Sequence, residues 1–381
     1  MTMRIALFSG NYNYLKEGAN QALNRLVRYL EEERGHRVRV YSPVTDTPAF
    51  IPAGTLVPVP SVALPVRSEF RLAMGLPRAI RQDIAGFRPD IIHVSTPDIL
   101  DTRAQSFAIG RNIPVVASQH SRFEAYLDYY RLGWARGLIE AHLRRFYRRS
   151  DHVLAPTPAL MAQMAALRGD DRVSLWGRGV DSLMFDPARR DMAWRRAQGL
   201  ADDDIAILFF GRLVLEKGIA MFVESVRALQ DRNPHVRPLI VGAGPAADAF
   251  APLDRVLFAG HLQDEALARA VASADILLHP SLTEAFGNVV LEAMASGLAV
   301  VSTDSPSSAM LIRDGKSGIL CPPQDAAAMA AAVEALIADP GRRRALGMSA
   351  RRASRAHGWN AASQSVEHAY RSVLDRRAHA A

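Results

Sequence analysis

Cysteine is almost missing from this 381-residue chain, Cys321 being its only one. A lone cysteine allows no intrachain disulfide, which fits a reducing compartment. Long apolar runs are also missing. No stretch approaches the ~20 residues that a membrane-spanning helix requires. The N-terminal MTMRIALFSGNYNY carries an apolar run too short for a signal peptide and reads as a first strand. The expected location is therefore the cytoplasm. No Cys/His cluster has zinc spacing. Neither G-x-S-x-G nor G-x-x-x-x-G-K-[ST] occurs, which weakens hydrolase and P-loop readings. No repeat with a period of about 20–50 residues is visible. Lysine is scarce too: 43 of the 46 basic residues are arginine, a bias that reads as genomic composition rather than function.

What is present is ordinary globular material, 49% apolar and 22% charged. The length suggests two domains, each able to bury its own core. The charge is uneven. Residues 1–177 hold 23 Lys+Arg against 16 Asp+Glu, a balance of +7, whereas residues 178–381 hold 23 of each. A basic first half points to an anionic partner: a membrane surface, a phosphorylated substrate or nucleic acid. No nucleic-acid motif supports the last. Residues 122–149 combine Tyr, Phe and Trp with seven arginines, a composition that suits an anionic membrane surface or, equally, a core helix with solvated arginines.

Short β-rich runs alternate with helical patterns. RIALFS (4–9), HRVRVYS (36–42), DIIHVS (90–95), PVVASQ (114–119) and HVLAP (152–156) form one series. IAILFFG (205–211), RPLIVGAG (237–244), RVLFAG (255–260), DILLHP (275–280) and LAVVST (298–303) form a second. Continuous apolar strands alternating with helices predict an α/β chain with two doubly wound, Rossmann-like parallel sheets. Residues 178–204, with Pro187 and clustered charges, read as the linker. The Pro-rich segment 50–75 reads as loop. Ligands of such sheets bind at the strands' carboxyl ends, so the expected site is a cleft between two facing domains.

Four constellations fall at strand ends. In FFGRLVLEKGIA (209–220), Gly211 ends a strand, and Arg212 and Lys217 follow as cations suited to a diphosphate; ordinary solvated loop charges are the plain alternative. In LTEAFGNVVLE (282–292), Gly287 and Asn288 begin a helix that ends at Gly297. The N–H groups of Phe286 to Val289 would face an anion or sugar oxygens. Glu284 precedes that helix and can merely cap it. Glu292 lies within the helix in an apolar run, where full exposure is unexpected and a ribose diol would suit it. VGAGPAADA (241–249) matches G-x-G-x-x-A, but Pro245 and the missing acidic partner argue against NAD. It reads as a tight turn near a nucleotide. His120 ends PVVASQH and reads as a structural histidine, a substrate contact or a proton handler. Gly18, in the loop after the first strand, can let a phosphate approach a helix N-terminus. The DDD run at 202–204 reads as solvated charge, with Asp203 or Asp204 capping, rather than as a metal site. No metal is expected.

GRL…EKG (211–218), the E-x₇-E of 284–292 and SGLAVV (296–301) together resemble the retaining glycosyltransferases of the family-four type, which have the GT-B fold. HVSTPDIL (93–100), SQHSRFEAYLDYY (118–130) and LWGRGVDSLMFDP (175–187) are similar to the branch that includes sulfoquinovosyldiacylglycerol synthases and lipid mannosyltransferases. The resemblance spans nearly the whole chain. It implies an acceptor-binding domain at 1–177 and a nucleotide-sugar-binding domain at 178–358. It implies that the helix at 359–381 crosses back to the first domain. Arg212 and Lys217 would hold the donor diphosphate and Glu292 the ribose. Glu284, with the backbone of Phe286, Gly287, Asn288 and Val289, would hold the transferred sugar. His120 would lie beside that sugar and Gly18 near the phosphates, with Gly211, Gly242 and Leu262 completing the donor site. The loop GNYNYLKEGAN departs from the family's usual form. The nucleotide sugar, UDP- or GDP-linked, is a substrate, so no cofactor is expected. The acceptor would be a lipid hydroxyl at the inner membrane face. A soluble sugar acceptor, an epimerase or a sugar-nucleotide-binding module are the other readings.

Overall fold

The computed structural model describes residues 2–15, 17–64, 70–120 and 133–380. The described residues divide into two compact units. Unit 1 runs to Arg178 and includes the helix Trp359–Ala380; unit 2 is Gly179–Gly358.

Unit 1 is built on seven strands: β1 (Arg4–Phe8), β2 (Arg37–Ser42), β3 (Thr55–Pro58), β6 (Ile91–Val94), β7 (Val115–Ser118), β8 (His152–Ala155) and β9 (Val173–Leu175). They run parallel in the order β3-β2-β1-β6-β7-β8-β9. Every residue of β6, β7 and β8 is buried, the mark of a sheet covered on both faces. The helix Gly18–Arg28 opens with Glu17 and Asn20 in a reciprocal capping box. Leu23, Leu26 and Val27 of that helix pack on Ile5, Leu7, Val38 and Val40. Val366, Ala369, Tyr370 and Val373 of the Trp359–Ala380 helix join the same cluster. Each such aliphatic side chain contributes about 1.5–3 kcal/mol on burial.

One expectation for this unit needs changing. Segment 50–75 is not all loop. It supplies β3 at the sheet edge and the antiparallel pair β4 (Ser61–Ala63) and β5 (Arg71–Ala73). Proline masked β3, yet Pro58 stands at the end of an edge strand, where no ladder donor is required. In the basic, aromatic stretch, Arg136–Arg148 is a helix that buries Leu143, Phe146 and Tyr147, while residues 122–132 lie outside the described ones.

Unit 2 has six parallel strands: β10 (Ile205–Phe210), β11 (Val236–Val241), β12 (Leu257–Gly260), β13 (Ile276–His279), β14 (Ala299–Thr303) and β15 (Ile319–Cys321), in the order β12-β11-β10-β13-β14-β15. Along β10 the side chains alternate. Leu208 and Phe210 enter one core cluster, and Ile207 and Phe209 enter the other. Burial on both faces favours apolar side chains, and IAILFF carries no polar residue. The chain passes from one side of the sheet to the other between β10 and β13. That is the switch point, where ligands of such sheets bind.

The segment 178–204 is bound to unit 2 rather than loose. It forms a short turn, Pro187–Arg189, and a helix, Met192–Ala197. Arg195 of that helix is 1% exposed and donates to the carbonyls of Ser273 and Asp204 and to Asp275 at 2.6, 2.7 and 3.0 Å. The DDD run is only partly solvated. Asp202 pairs with Arg196 at the surface, but Asp204 is buried and accepts from Ala201 N and Arg237 Nε at 2.8 and 2.9 Å. Asp203, Asp204 and His235 could hold a metal ion by their spacing, but the Arg237 guanidinium already occupies Asp204.

Candidate active site

The carboxyl ends of β10 and β13 place Lys217 and Glu284 together. Two local contacts do this. The short turn Leu215–Lys217 ends at Gly218, whose φ of 77° is left-handed; a Cβ there would lie 2.8 Å from the carbonyl oxygen of Pro280. Only glycine lets that turn rest on the chain leaving β13. Thr283 Oγ1 then donates to the Glu216 carbonyl at 2.9 Å. With the two loops joined on both sides of Lys217, its Nζ reaches Glu284 Oε1 at 2.5 Å. His279, the last residue of β13, lies on the other side of that carboxylate, with Nε2 at 3.6 Å, and its Nδ1 is 3.1 Å from Ser302 Oγ of β14. Burial alone would raise the Glu284 carboxyl. The Lys217 ammonium and His279 outweigh it and hold the group well below the usual carboxylate range. The result is a carboxylate that stays ionised.

These side chains line one pocket with Phe209, Phe210, Leu277, Leu278 and Val289. Val289 also faces Gly211. The helix Asn288–Ala295 starts at this pocket, with Gly287 before it and Gly297 just beyond it, as the sequence predicts. Phe286 is spent on the core, 4% exposed and edge-on to His357, so only its backbone faces outward chemistry. Asn288 Oδ1 is buried, and no donor among the described residues satisfies it. A buried acceptor of this kind costs about 1–3 kcal/mol unless something donates to it. Glu292 is half-buried on the same helix, and Arg212 is exposed directly after β10. Leu262 is half-buried against the unit 2 core.

The G-x-G run has a purpose the sequence did not disclose. Gly242 has φ 150°, and a Cβ on it would overlap the Gly211 carbonyl oxygen. Leu213 N donates to Ala243 O, and Ala246 N donates to Leu213 O, both at 2.9 Å. These glycines therefore let the loops after β10 and β11 interlock, which fixes the segment carrying Arg212. Gly18 and His120 belong to unit 1. Gly18 is the first residue of its helix, and the Glu17 carboxylate already caps that N-terminus. His120 has both ring nitrogens engaged, Nδ1 by Arg178 at 2.9 Å and Nε2 by Ser118 at 2.8 Å. Its burial, with Arg178 and His93 nearby, holds it well below the ordinary histidine value.

Sequence reasoning missed His279 and Arg178. Neither stands in a motif with a chemical signature; only the tertiary contacts reveal them. It also missed that Glu284 and Lys217 pair directly, having given one to the sugar and the other to the diphosphate.

Residues 17–182 match the family described as Glycosyltransferase Family 4, and residues 204–339 match Glycosyl transferases group 1. The chain is 32% identical to a GDP-mannose-dependent alpha-mannosyltransferase of Mycolicibacterium smegmatis, across 98% of this chain and 99% of that one. It is 30% identical to the sulfoquinovosyl transferase SQD2 of Arabidopsis thaliana, across 95% and 72%. It is also 30% identical to a phosphatidyl-myo-inositol mannosyltransferase of M. smegmatis, across 90% and 86%. Sucrose-phosphate synthase from Thermosynechococcus elongatus superposes with a TM-score of 0.78 over 98% of this chain and all of that one, at 21% identity. With two Rossmann-like units of this kind the fold is GT-B, and the chain belongs to the family 4 glycosyltransferases.

Proposed function

We propose that this enzyme transfers a sugar, with retention of configuration, from a UDP- or GDP-linked donor to a hydroxyl of a lipid acceptor at the inner surface of the membrane. The observation that carries the reading is the Lys217–Glu284–His279 assembly at the switch point of unit 2. Arg212 and Lys217 bind the diphosphate. Glu284 and Asn288 Oδ1 accept hydrogen bonds from sugar hydroxyls, and Glu292 accepts from the ribose. In the chemical step the bond between the anomeric carbon and the phosphate oxygen breaks as the acceptor oxygen bonds to that carbon on the same face. The acceptor proton passes to a donor phosphate oxygen. Negative charge grows on the leaving diphosphate, and fixed cations beside it lower the barrier without a metal ion. Lys217, released from Glu284 as the donor binds, is placed for that task.

The lipid acceptor is supported by the phosphatidyl-myo-inositol substrate in one relative's name and by the surface of unit 1. Trp134 and Leu138 are 79% and 73% exposed beside the Arg136–Arg148 helix, which carries Arg136, Arg144, Arg145 and Arg148. Exposed apolar side chains among arginines suit an anionic bilayer surface. No helix among the described residues is long and apolar enough to cross a membrane, so attachment is expected to be peripheral.

Incubating the full chain with UDP- and GDP-sugars, with and without anionic lipid vesicles, tests this. Acceptor-dependent release of nucleoside diphosphate, unchanged by EDTA, is expected. An isomerised donor without release would establish an epimerase instead, and an inverted anomeric centre in the product would overturn retention. Equal transfer to a soluble sugar, with no binding to the vesicles, would remove the lipid acceptor.

A further inference from the structure

Unit 1 holds a polar array that donor binding in unit 2 does not use. It runs through the interior from Arg178 to the C-terminal helix. Arg178 NH2 lies 2.9 Å from His120 Nδ1, and His120 Nε2 lies 2.8 Å from Ser118 Oγ. Ser118 Oγ lies 2.7 Å from His93 Nε2, and His93 Nδ1 lies 2.5 Å from the Tyr370 hydroxyl. Ser118, His93 and Tyr370 are fully buried, and Arg178 is 4% exposed. Trp176 forms the apolar wall. Its ring meets His93 and His120 edge-on, and Arg178 lies over it at 4.8 Å.

Hydrogen-bonding capacity gives the Arg178 end of this array a single direction. A guanidinium only donates. His120 Nδ1 must therefore be an acceptor, which puts the ring proton on Nε2 and makes Ser118 Oγ the acceptor from it. A hydroxyl has two lone pairs and one proton, so Ser118 can either give to or accept from His93 Nε2. An imidazolium at position 120 would set an N–H against an N–H, so Arg178 also forbids the charged form. Arg178 stays cationic, since burial lowers it only to about 10. The Trp176 and Gly177 carbonyls anchor it at 2.8 and 3.0 Å, and no carboxylate pairs with it among the described residues. Burial pushes His93 down to about 3, consistent with a neutral ring.

We infer that Arg178 is a positioning residue that fixes His120 as the neutral Nε2–H tautomer, with its N–H directed onto Ser118. His120 is thereby a fixed neutral ring and does not take up the acceptor's proton. The position of the proton follows from unit 1 alone. Any consequence for catalysis rests on the sequence expectation that His120 lies beside the transferred sugar.

Long-range ¹H–¹⁵N spectroscopy of the full chain, with ¹⁵N-labelled histidine, tests the inference. At pH 7 His120 should show a protonated Nε2 and a bare Nδ1. Arg178→Lys retains a donor and should preserve that pattern. Arg178→Met should let His120 exchange between tautomers, with its titration raised from the wild-type position but still held down by burial. Ser118→Ala, which leaves Arg178 in place, should leave the His120 proton on Nε2; it stands in for Arg178→Met if that variant does not fold. A wild-type His120 protonated on Nδ1, a His120 proton moved to Nδ1 in Ser118→Ala, or a tautomer unchanged in Arg178→Met overturns the inference. In turnover assays, Arg178→Lys should stay near wild type, and Arg178→Met should lose about 10-fold or more in kcat with donor KM little changed, as expected when a reacting geometry loosens. Released tautomers with unchanged kcat would uphold the positioning and remove His120 from the proposed reaction.

Discussion

The two units share one architecture and differ in what they place at its strand ends. In unit 2 the carboxyl ends of β10 and β13 carry opposite charges, Lys217 and Glu284, 2.5 Å apart. In unit 1 the strands β6 and β7 lead into neutral groups, His93, Ser118 and His120, whose hydrogen bonds run into the Trp359–Ala380 helix. A charged pair at a pocket can exchange one partner for a ligand's charge. A saturated neutral chain has little to exchange and holds its members still. Under the proposed function unit 2 binds and stabilises an anion, whereas unit 1 holds a ring in one orientation.

The comparison can be broken at several points. The largest effect is expected at Gly242, where an alanine would force a Cβ into the Gly211 carbonyl at φ 150°. Gly242→Ala should destabilise unit 2 by about 3 kcal/mol or more and lower its melting temperature, leaving unit 1 spectra intact. Next is Lys217→Ala. It should lower kcat by about 100-fold, or ~2.7 kcal/mol, as for other preorganised electrostatic groups. Wild-type turnover in that variant would take Lys217 out of the reaction.

Unit 1 has its own charged cluster, away from the neutral chain. Glu367 on the C-terminal helix receives Arg34 at 2.8 Å and Arg371 at 2.6 Å, with His36 at 3.3 Å. Burial would raise the Glu367 carboxyl, but these partners bring it down to about 2. A lowered folded value gives stability that is complete above the ordinary ~4.3 and is lost as pH falls toward 2. Glu367→Ala should cost about 2 kcal/mol at neutral pH. It should also flatten the acid limb of the stability curve, as read by denaturant unfolding between pH 2 and 6. The smallest effect is expected at Glu292→Gln, a rise of about 10-fold in donor KM with kcat largely retained, since the ribose is bound equally before and during reaction.

Much of this was legible in the sequence. Ten of the strands were signalled by apolar runs, because strands buried on both faces are mostly apolar, and their few polar residues, such as His93, Ser118 and His279, find hydrogen-bond partners. β9 and β15 were missed; three residues each are too few to show a period. β3 was hidden by its proline. Among the site residues, Arg212, Lys217, Glu284 and Glu292 stood out because charge beside an apolar βα unit is conspicuous. Arg178 and His279 did not. A single arginine or histidine has many ordinary uses, and only its neighbours distinguish them.

The sequence alone determined the alternation of strand and helix, and hence two parallel sheets, since the period of burial is written in side-chain polarity. It also determined which strand ends carry charge. The tertiary structure decided which of those charges meet. Gly218 against Pro280 and Thr283 on Glu216 bring Lys217 to Glu284 across 67 positions. It likewise decided that the Arg178 guanidinium meets His120 Nδ1, because a hydrogen bond's donor and acceptor are settled by the partner each group finds, and partners distant in sequence become neighbours only when the sheet has formed.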